Sequence, residues 1–218
     1  MGNADAEVPM IRLSYNDVHN SIQQCAAKIQ KEFEPTLFIA IGGGGFIPAR
    51  ILRTFLKTTT EGKKRNIPIQ AVGLTLYESM GGIAEVVGKE VVRTQWLDFS
   101  TLGKTFKHGG LLGRRILIVD EVDDTRTTLI YLIRELQKDI DEQLQLIENT
   151  EDREKLRETT KLGIFVVHNK LKEKAGELPS GVQYFAAQET PDVWLAYPWE
   201  CDGQIEEHDA MRSQNPKP

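Results

Sequence analysis

The residue types best suited to chemistry are concentrated in one stretch, Ile116–Thr128, which reads ILIVDEVDDTRTT. It opens with branched apolar residues, which are typical of a strand buried on both faces. Asp120 and Glu121 follow at the carboxyl end of that strand, so their carboxylates should point into a crevice. Carboxylates in such a position can bind the hydroxyls of a sugar and a divalent cation.

The second half of the stretch suits a phosphate group. Asp123-Asp124-Thr125 predicts a helix N-cap, because Leu129–Leu136 has the apolar spacing of a helix. A helix N-terminus binds phosphate through its N–H groups, assisted here by the hydroxyls of Thr125, Thr127 and Thr128. The stretch therefore predicts a sugar-phosphate site, although a helix whose acidic first turn only favours its dipole fits the same pattern.

The stretch also resembles the motif with which type I phosphoribosyltransferases bind 5-phosphoribosyl 1-diphosphate (PRPP). In that motif four apolar residues and two acids precede two further residues and then Asp-Thr-Gly-x-Thr. Arg126 stands where the family usually has glycine, and Glu121 stands where many members have aspartate. Glycine adopts a positive φ far more cheaply than arginine, so Arg126 bears directly on the backbone shape of the loop.

A run of glycines, residues 42–45, joins the predicted strand Thr36–Ile41 to the predicted helix Ala49–Leu56. It does not fit the dinucleotide pattern G-x-G-x-x-G, because Ile47 or Pro48 occupies the third glycine position. Exposed backbone N–H groups in such a loop can bind pyrophosphate, and a tight turn that needs glycine for geometry alone fits equally well.

The 6-oxopurine phosphoribosyltransferases carry a pyrophosphate loop at this place, and resemblance assigns that loop to Gly43, Gly44 and Gly45. Gly43 replaces the usual lysine or arginine. The non-proline cis peptide of the family would correspond to Gly43–Gly44.

Candidate purine-binding residues follow two later strands. Lys170 lies just after the predicted strand Leu162–His168, where the family has a lysine that reads the exocyclic oxygen of the base. A solvated lysine is an equally good interpretation, and His168 is nearly as well placed. The segment with Trp194, Leu195 and Glu200 resembles the base-binding hood of the bacterial xanthine-guanine and fungal hypoxanthine-guanine enzymes, although tryptophans are more often packing residues.

The resemblance implies a role for each of these residues. Asp124 would handle the purine proton, Trp194 would stack on the base, and Leu195 would offer backbone groups to its edge. The residues implied in PRPP binding are Asp120, Glu121, Asp123, Asp124, Thr125, Arg126, Thr127 and Thr128. The residues implied in Mg2+ binding are Asp120, Glu121 and Glu200.

The implied reaction converts a 6-oxopurine (hypoxanthine, guanine or xanthine) and PRPP into a nucleoside monophosphate and pyrophosphate. Family members are usually dimers or tetramers, so resemblance also implies a homodimer or homotetramer. The alternative is a nucleotide-sensing regulator that keeps the fold and the motif without catalytic activity. The acidic net charge of −5 and the hood tryptophan favour the enzyme and disfavour a nucleic-acid partner.

Composition and patterning predict a single α/β domain with a largely parallel central sheet flanked by helices, and the resemblance implies the type I phosphoribosyltransferase fold. We expect residues 1–218 to form that domain, with a hood from the N-terminal segment and about residues 165–205. The charged stretch Arg134–Lys161 predicts a peripheral helical insertion, and the glycines within Tyr77–Val92 predict a flexible hood or hairpin. The resemblance implies that this segment is a mobile loop that closes over the reaction centre. Two distant cysteines and the lack of a signal or membrane segment predict a cytoplasmic protein without a membrane partner.

Overall fold

In the computed structural model, residues 9–77, 90–102 and 110–216 are described. The first half of the chain contains β1 (Met10–Arg12), α1 (Tyr15–Glu32), β2 (Leu37–Gly42), α2 (Phe46–Leu56), β3 (Ile69–Tyr77) and β4 (Glu90–Gln95). The second half contains β5 (Arg115–Asp123), α3 (Thr127–Gln145), α4 (Thr150–Thr159), β6 (Lys161–Lys170), β7 (Gln183–Thr190), β8 (Trp194–Ala196) and α5 (Ile205–Ala210). The loop expected at Tyr77–Val92 lies outside the described residues, apart from its two ends in β3 and β4.

The central sheet has the strand order β4-β3-β2-β5-β6-β7, and only the β3–β4 pair is antiparallel. β5, the strand of the acidic motif, therefore lies between β2 and β6. Because β2, β5 and β6 are parallel, the glycine run, the acids and Lys170 all lie at the same edge of the sheet. The predicted α/β fold with a largely parallel sheet is confirmed.

One hydrophobic cluster packs against each face of the sheet. α1 and α2 cover one face, together with residues of the hood, and α3 covers the other. β5 supplies both clusters, because Leu117 and Val119 belong to the first and Ile116 and Ile118 to the second. A run of buried apolar residues is what a strand covered on both faces requires.

The interpretation of Arg134–Lys161 as a peripheral insertion is wrong for its first part. Residues 134–145 are the second half of α3, and Leu136, Ile140 and Leu144 are buried in the core. Their helical spacing maintains one apolar face although charges fill the other positions. Only α4, which has no buried residue, fits the prediction of an exposed charged helix.

The small second sheet consists of β1 and β8, which pair in parallel. These strands come from the N-terminal segment and from residues 194–196, the two regions expected to form the hood, and we call this pair the hood. Ser14 caps α1 directly after β1 and forms a capping box with Asp17. Within the described part of the chain, no helix is long and apolar enough to cross a membrane.

Candidate active site

The acids of the central motif lie inside β5 rather than after it. β5 continues to Asp123, because the backbones of Asp120, Val122 and Asp123 pair with β6. Our prediction ended the strand at Val119, because the run of branched apolar residues ends there. Pairing with β6 extends the strand through them and places the carboxylates at the edge of the sheet.

Burial changes the proton affinity of both strand acids. It raises the pKa of Asp120 to about 8, although the Glu121 N–H donates to the Asp120 carboxylate at 2.8 Å. It also raises the pKa of Glu121 to about 7, against the hydrogen bond donated by Trp199 Nε1 at 2.7 Å and with repulsion from Glu200. A cation beside these acids would favour their ionised forms.

The loop between β5 and α3 encloses a cavity of about 320 Å3 lined by residues 120–129. We call residues 123–128 the phosphate loop. Thr125 Oγ1 and Thr127 Oγ1 lie 2.9 Å apart, and Thr128 also lines the cavity. The free N–H groups of the first turn of α3 face this region, as a phosphate site at a helix N-terminus requires.

Two expectations about the phosphate loop need correction. The N-cap of α3 is Arg126, which has φ +68° and no capping side chain, rather than a residue of Asp123-Asp124-Thr125. We expected the carboxylate of Asp123 to bind PRPP. The side chain of Asp123 is instead completely buried and binds Arg126 and Tyr184. Asp123 is the last residue of β5, and its side chain is covered by Tyr184 and Arg126.

A second cavity, of about 150 Å3, adjoins the first and shares Glu121, Val122 and Asp124 with it. Its other lining residues are Lys170, Trp194, Leu195, Tyr197 and Glu200. The structure therefore brings the predicted purine-binding residues together beside Asp124. Trp194 is 60% exposed, so its ring is accessible for stacking on a base.

Geometry distinguishes between Lys170 and His168. Lys170 is the last residue of β6, and its Nζ lies in the small cavity, 3.4 Å from Asp124 Oδ2. His168, on the same side of β6, is buried with Nδ1 2.8 Å from the Tyr197 hydroxyl, and burial lowers its pKa to about 4. Side chains alternate along β6, so His168 and Lys170 lie on the side opposite to Asn169. Of these two, Lys170 lines the small cavity.

Asp124 lies among opposite charges. Lys172 Nζ bridges Asp124 Oδ1 at 3.0 Å and Asp192 Oδ2 at 2.9 Å, and Lys170 approaches both aspartates. Burial alone would raise the pKa of Asp124, but the hydrogen bond from Lys172 and the charge of Lys170 hold it below its ordinary value. Asp124 is therefore an anion at neutral pH and can accept a proton or a hydrogen bond.

The pairing of the hood orients the backbone of Leu195. Trp194 N–H donates to the Pro9 carbonyl oxygen at 2.8 Å, and the Ala196 carbonyl accepts from Leu13 N–H at 3.0 Å. Neighbouring residues of a strand direct their backbone groups to opposite sides. The N–H and C=O of Leu195 consequently point away from β1, on the side that is free to meet the edge of a base.

The glycine run approaches β5 closely. A Cβ atom on Gly44 would lie 2.2 Å from Glu121 Cδ, and one on Gly45 would lie 2.3 Å from the Val119 carbonyl oxygen. A Cβ on Gly43 would have no neighbour within 4 Å, so this position is open. The cis peptide is Gly42–Gly43, one residue earlier than the expected Gly43–Gly44, because four identical residues left its position undefined by sequence.

The three predicted metal ligands do not form one preformed set. Asp120 and Glu121 line the larger cavity, whereas Glu200 lines the smaller one with Glu121. In residues 9–77, 90–102 and 110–216, no three His, Cys, Asp or Glu side chains are grouped so that they could hold a metal ion. Successive strand residues point to opposite faces, which separates the neighbouring acids.

Several residues of the site were not found from the sequence. Tyr197 donates its hydroxyl to the Glu121 carbonyl at 3.0 Å and stacks on Trp199, with ring centroids 4.8 Å apart. Lys172 and Asp192 hold Asp124, as described above. The aromatic run that ends the hood was a signal for Tyr197 and Trp199, but Lys172 stood among other lysines with nothing to distinguish it.

A largely parallel sheet with acids, a helix N-terminus and two adjoining cavities at one edge defines an α/β protein whose ligand site lies at the carboxyl ends of its strands. The chain is 56% identical over 202 residues to a hypoxanthine-guanine phosphoribosyltransferase of Schizosaccharomyces pombe, covering 90% of this chain and 91% of the relative. It is 50% identical over 210 residues to xanthine phosphoribosyltransferase 1 of Saccharomyces cerevisiae, covering 93% and 95%. The chain belongs to the purine phosphoribosyltransferase family.

Solved structures share the fold of this chain. A hypothetical protein from Neisseria gonorrhoeae, solved with bound ppGpp, is similar with a TM-score of 0.70 and 33% identity over 95% of this chain and 97% of that one. A purine phosphoribosyltransferase from Pyrococcus horikoshii shares the fold, with a TM-score of 0.59 and 22% identity over 90% and 97%. No family model matches the chain.

Proposed function

We propose that this enzyme transfers the 5-phosphoribosyl group of PRPP to a 6-oxopurine in purine salvage. The products are a nucleoside monophosphate and pyrophosphate. The substrate class follows from the relatives, whose names specify hypoxanthine-guanine and xanthine phosphoribosyltransferases. The observation that carries the proposal for this chain is the junction of the two cavities at Glu121, Val122 and Asp124.

The junction lies where the bond would form. A purine on Trp194 would lie beside Lys170, and a ribose phosphate in the phosphate loop would place its anomeric carbon between the two cavities. Bond formation from the purine nitrogen to that carbon breaks the carbon–oxygen bond to pyrophosphate. The N–H proton of the purine then needs an acceptor, and the ionised carboxylate of Asp124 is suited to that role.

The transition state carries positive charge on the ribose and negative charge on the leaving group. The open backbone at Gly43 and the N-terminus of α3 would bind the anionic parts of PRPP, and Asp120 and Glu121 would bind its ribose hydroxyls. Preorganised groups of this kind accelerate a reaction because they need not reorient as charge develops.

Mg2+ suits the acids of this site. Carboxylate oxygens are the ligands that Mg2+ prefers, and it commonly binds through one or two of them together with substrate phosphates. Because their side chains point to opposite faces of β5, either Asp120 or Glu121 would hold the ion, with Glu200 near Glu121, and the phosphates of PRPP would complete the set. When bound, Mg2+ would neutralise charge on the diphosphate and on these buried acids.

The direct test is an assay with radiolabelled hypoxanthine, guanine or xanthine, PRPP and Mg2+, with EDTA added in a parallel series. We expect labelled nucleoside monophosphate that depends on PRPP and disappears with EDTA. Nucleotide binding without turnover would instead support a regulator that keeps the fold. Turnover that persists in EDTA would remove Mg2+ from the proposal and leave the transfer itself standing.

We propose further that the enzyme is a cytoplasmic homodimer or homotetramer. Cys25 and Cys201 are both free thiols, which suits a reducing compartment. Sedimentation of the purified protein would measure the oligomeric state, and cell fractionation would measure the location.

A further inference from the structure

The phosphate loop contains a backbone conformation that its sequence does not favour. Arg126 has φ +68°, in the left-handed region, where a Cβ atom costs free energy that glycine avoids. The carbonyl of the same residue accepts the hydrogen bond from Ile130 N–H that opens α3. A change of conformation at Arg126 would therefore redirect the N–H groups that face the phosphate cavity.

A buried carboxylate holds Arg126 in this conformation. Arg126 Nε donates to Asp123 Oδ2 at 2.9 Å, and Nη2 lies 2.9 Å from the same atom. The side chain of Asp123 is 0% exposed, and that of Arg126 is 14% exposed. Burial alone would lower the pKa of Arg126, but the hydrogen bond and charge of Asp123 raise it.

Strand β7 also holds the Asp123 carboxylate, and the segment after β6 holds the backbone of the phosphate loop. The hydroxyl of Tyr184, in β7, donates to Asp123 Oδ2 at 2.8 Å, and the guanidinium carbon of Arg126 lies 5.1 Å from the centre of the Tyr184 ring. Lys174 Nζ donates to the carbonyl oxygens of Asp123 and Asp124 at 2.8 and 2.9 Å. Ala175 N–H donates to the Thr125 carbonyl at 2.8 Å, so the loop is fixed from outside along its length.

We propose that Asp123 is a positioning residue for PRPP, and that the Asp123–Arg126 pair replaces the conformational freedom of a loop glycine. The pair keeps the phosphate loop in its binding shape before PRPP arrives. The proposal rests on the proposed function for its ligand, and it assigns to Asp123 no contact with PRPP.

The test compares the Arg126→Ala, Arg126→Gly and Asp123→Asn variants of the full chain, with Arg134→Ala as a control. Arg134 is an exposed arginine of the same helix. We expect Arg126→Ala to raise the KM for PRPP by about tenfold, equal to about 1.4 kcal/mol, with little change in kcat. Arg126→Gly should raise KM less than Arg126→Ala, because glycine loses the ion pair but adopts φ +68° without a Cβ.

Asp123→Asn should raise KM as Arg126→Ala does, and the double variant should be little worse than either single one. An equal rise in the KM for PRPP in Arg126→Gly and Arg126→Ala would overturn the proposal, because it would indicate that the guanidinium itself binds PRPP. A wild-type KM in folded Asp123→Asn would overturn it as well. If Asp123→Asn fails to fold, as thermal unfolding would show, the comparison at Arg126 decides.

Hydrogen–deuterium exchange of the free protein separates this proposal from the proposed function. Peptides that span residues 124–131 should exchange faster in Arg126→Ala and Asp123→Asn than in wild type and in Arg134→Ala. If wild type lacks turnover, the proposed function fails, and faster exchange still supports the positioning role. Unchanged exchange in both variants would overturn the positioning role whether or not the wild type is active.

Discussion

At the scale of single residues, the carboxylate of Asp124 would be the proton acceptor of the proposed reaction. Lys170 and Lys172 keep it ionised where the two cavities meet. A group that accepts a proton only as the reaction proceeds contributes to turnover more than to ground-state binding.

Asp124→Asn keeps the size of the side chain but removes its ability to accept a proton. We expect kcat to fall by about 10²-fold or more, the typical contribution of a general base, with a smaller change in the Kd for PRPP. Steady-state kinetics and calorimetry would measure the two quantities. Asp202→Asn, at an exposed aspartate, is the matched control, and full turnover in Asp124→Asn would make Asp124 structural.

In the proposed reaction, Lys170 would determine which base the site accepts. A lysine donates only, so Lys170 can satisfy the oxygen of a 6-oxopurine but would face the amino group of adenine without an acceptor. A buried donor left unpaired costs about 1–3 kcal/mol, so we expect about tenfold to hundredfold discrimination against adenine. Competition among hypoxanthine, guanine, xanthine and adenine would measure it.

Lys170→Gln should reduce the discrimination against adenine, because the glutamine oxygen can accept a hydrogen bond from the amino group of adenine. Trp194 should not affect this discrimination between bases, since every purine has a face on which the ring of Trp194 can stack. Efficient turnover of adenine by the unaltered enzyme would contradict both the role of Lys170 and the 6-oxopurine class.

At the scale of elements, the site depends on how closely the turn between β2 and α2 approaches β5. Gly44 lies against Glu121, and Gly45 lies against the backbone of Val119. This contact explains the glycine run better than a requirement for a tight turn alone, because side chains at both positions would occupy the space of β5.

Gly44→Val should raise the Kd for PRPP at least about tenfold, since even its Cβ would displace the Glu121 carboxylate. A neutral control needs a glycine in open space with an ordinary φ. Gly203 has both properties, whereas Gly62, the exposed glycine we would choose from sequence, has φ +80° and would be strained by valine. Equal loss of binding in Gly44→Val and Gly203→Val would indicate unfolding rather than a local effect, and circular dichroism would check this.

At the scale of the whole molecule, the buried acids that suit the site reduce stability. Asp120 has a pKa of about 8 in the folded protein against an ordinary value of 3.8. At pH values between these two pKa values, the folded state binds more protons than the unfolded state. The free energy of unfolding therefore decreases as pH rises. The stabilisation that comes from the protonated Asp120 carboxyl is complete below the lower pKa and lost above the higher pKa.

Asp120→Asn removes this dependence. We expect its melting temperature to exceed that of the wild type by several degrees at pH 8 and by much less at pH 5, since about 1 kcal/mol shifts Tm by about 2–4 °C in a chain of this size. The same variant should bind PRPP more weakly, because an amide is a poorer partner for a cation. Thermal unfolding at both pH values would measure the difference, and a Tm gain of equal size at pH 5 and pH 8 would contradict it.

Local pattern was sufficient to predict the main elements and the position of the site. Branched apolar residues before Asp120 predicted a buried strand, and the threonines that follow predicted a phosphate loop. Such patterns are informative because strand burial and helix start depend on neighbouring residues. The length of α3 was misjudged because its charges were given more weight than the apolar spacing that continues to Leu144.

The sequence by itself determined the kind of protein: an α/β domain with a sugar-phosphate motif and a purine-type hood. Only the tertiary structure decided where the candidate side chains lie: Lys170 and not His168 lines the smaller cavity, and Asp123 is buried against Arg126 and Tyr184. The physical reason is that the direction of a side chain at the end of a strand depends on partners far away in the chain. Tyr184 is 61 residues from Asp123, and no local period relates them.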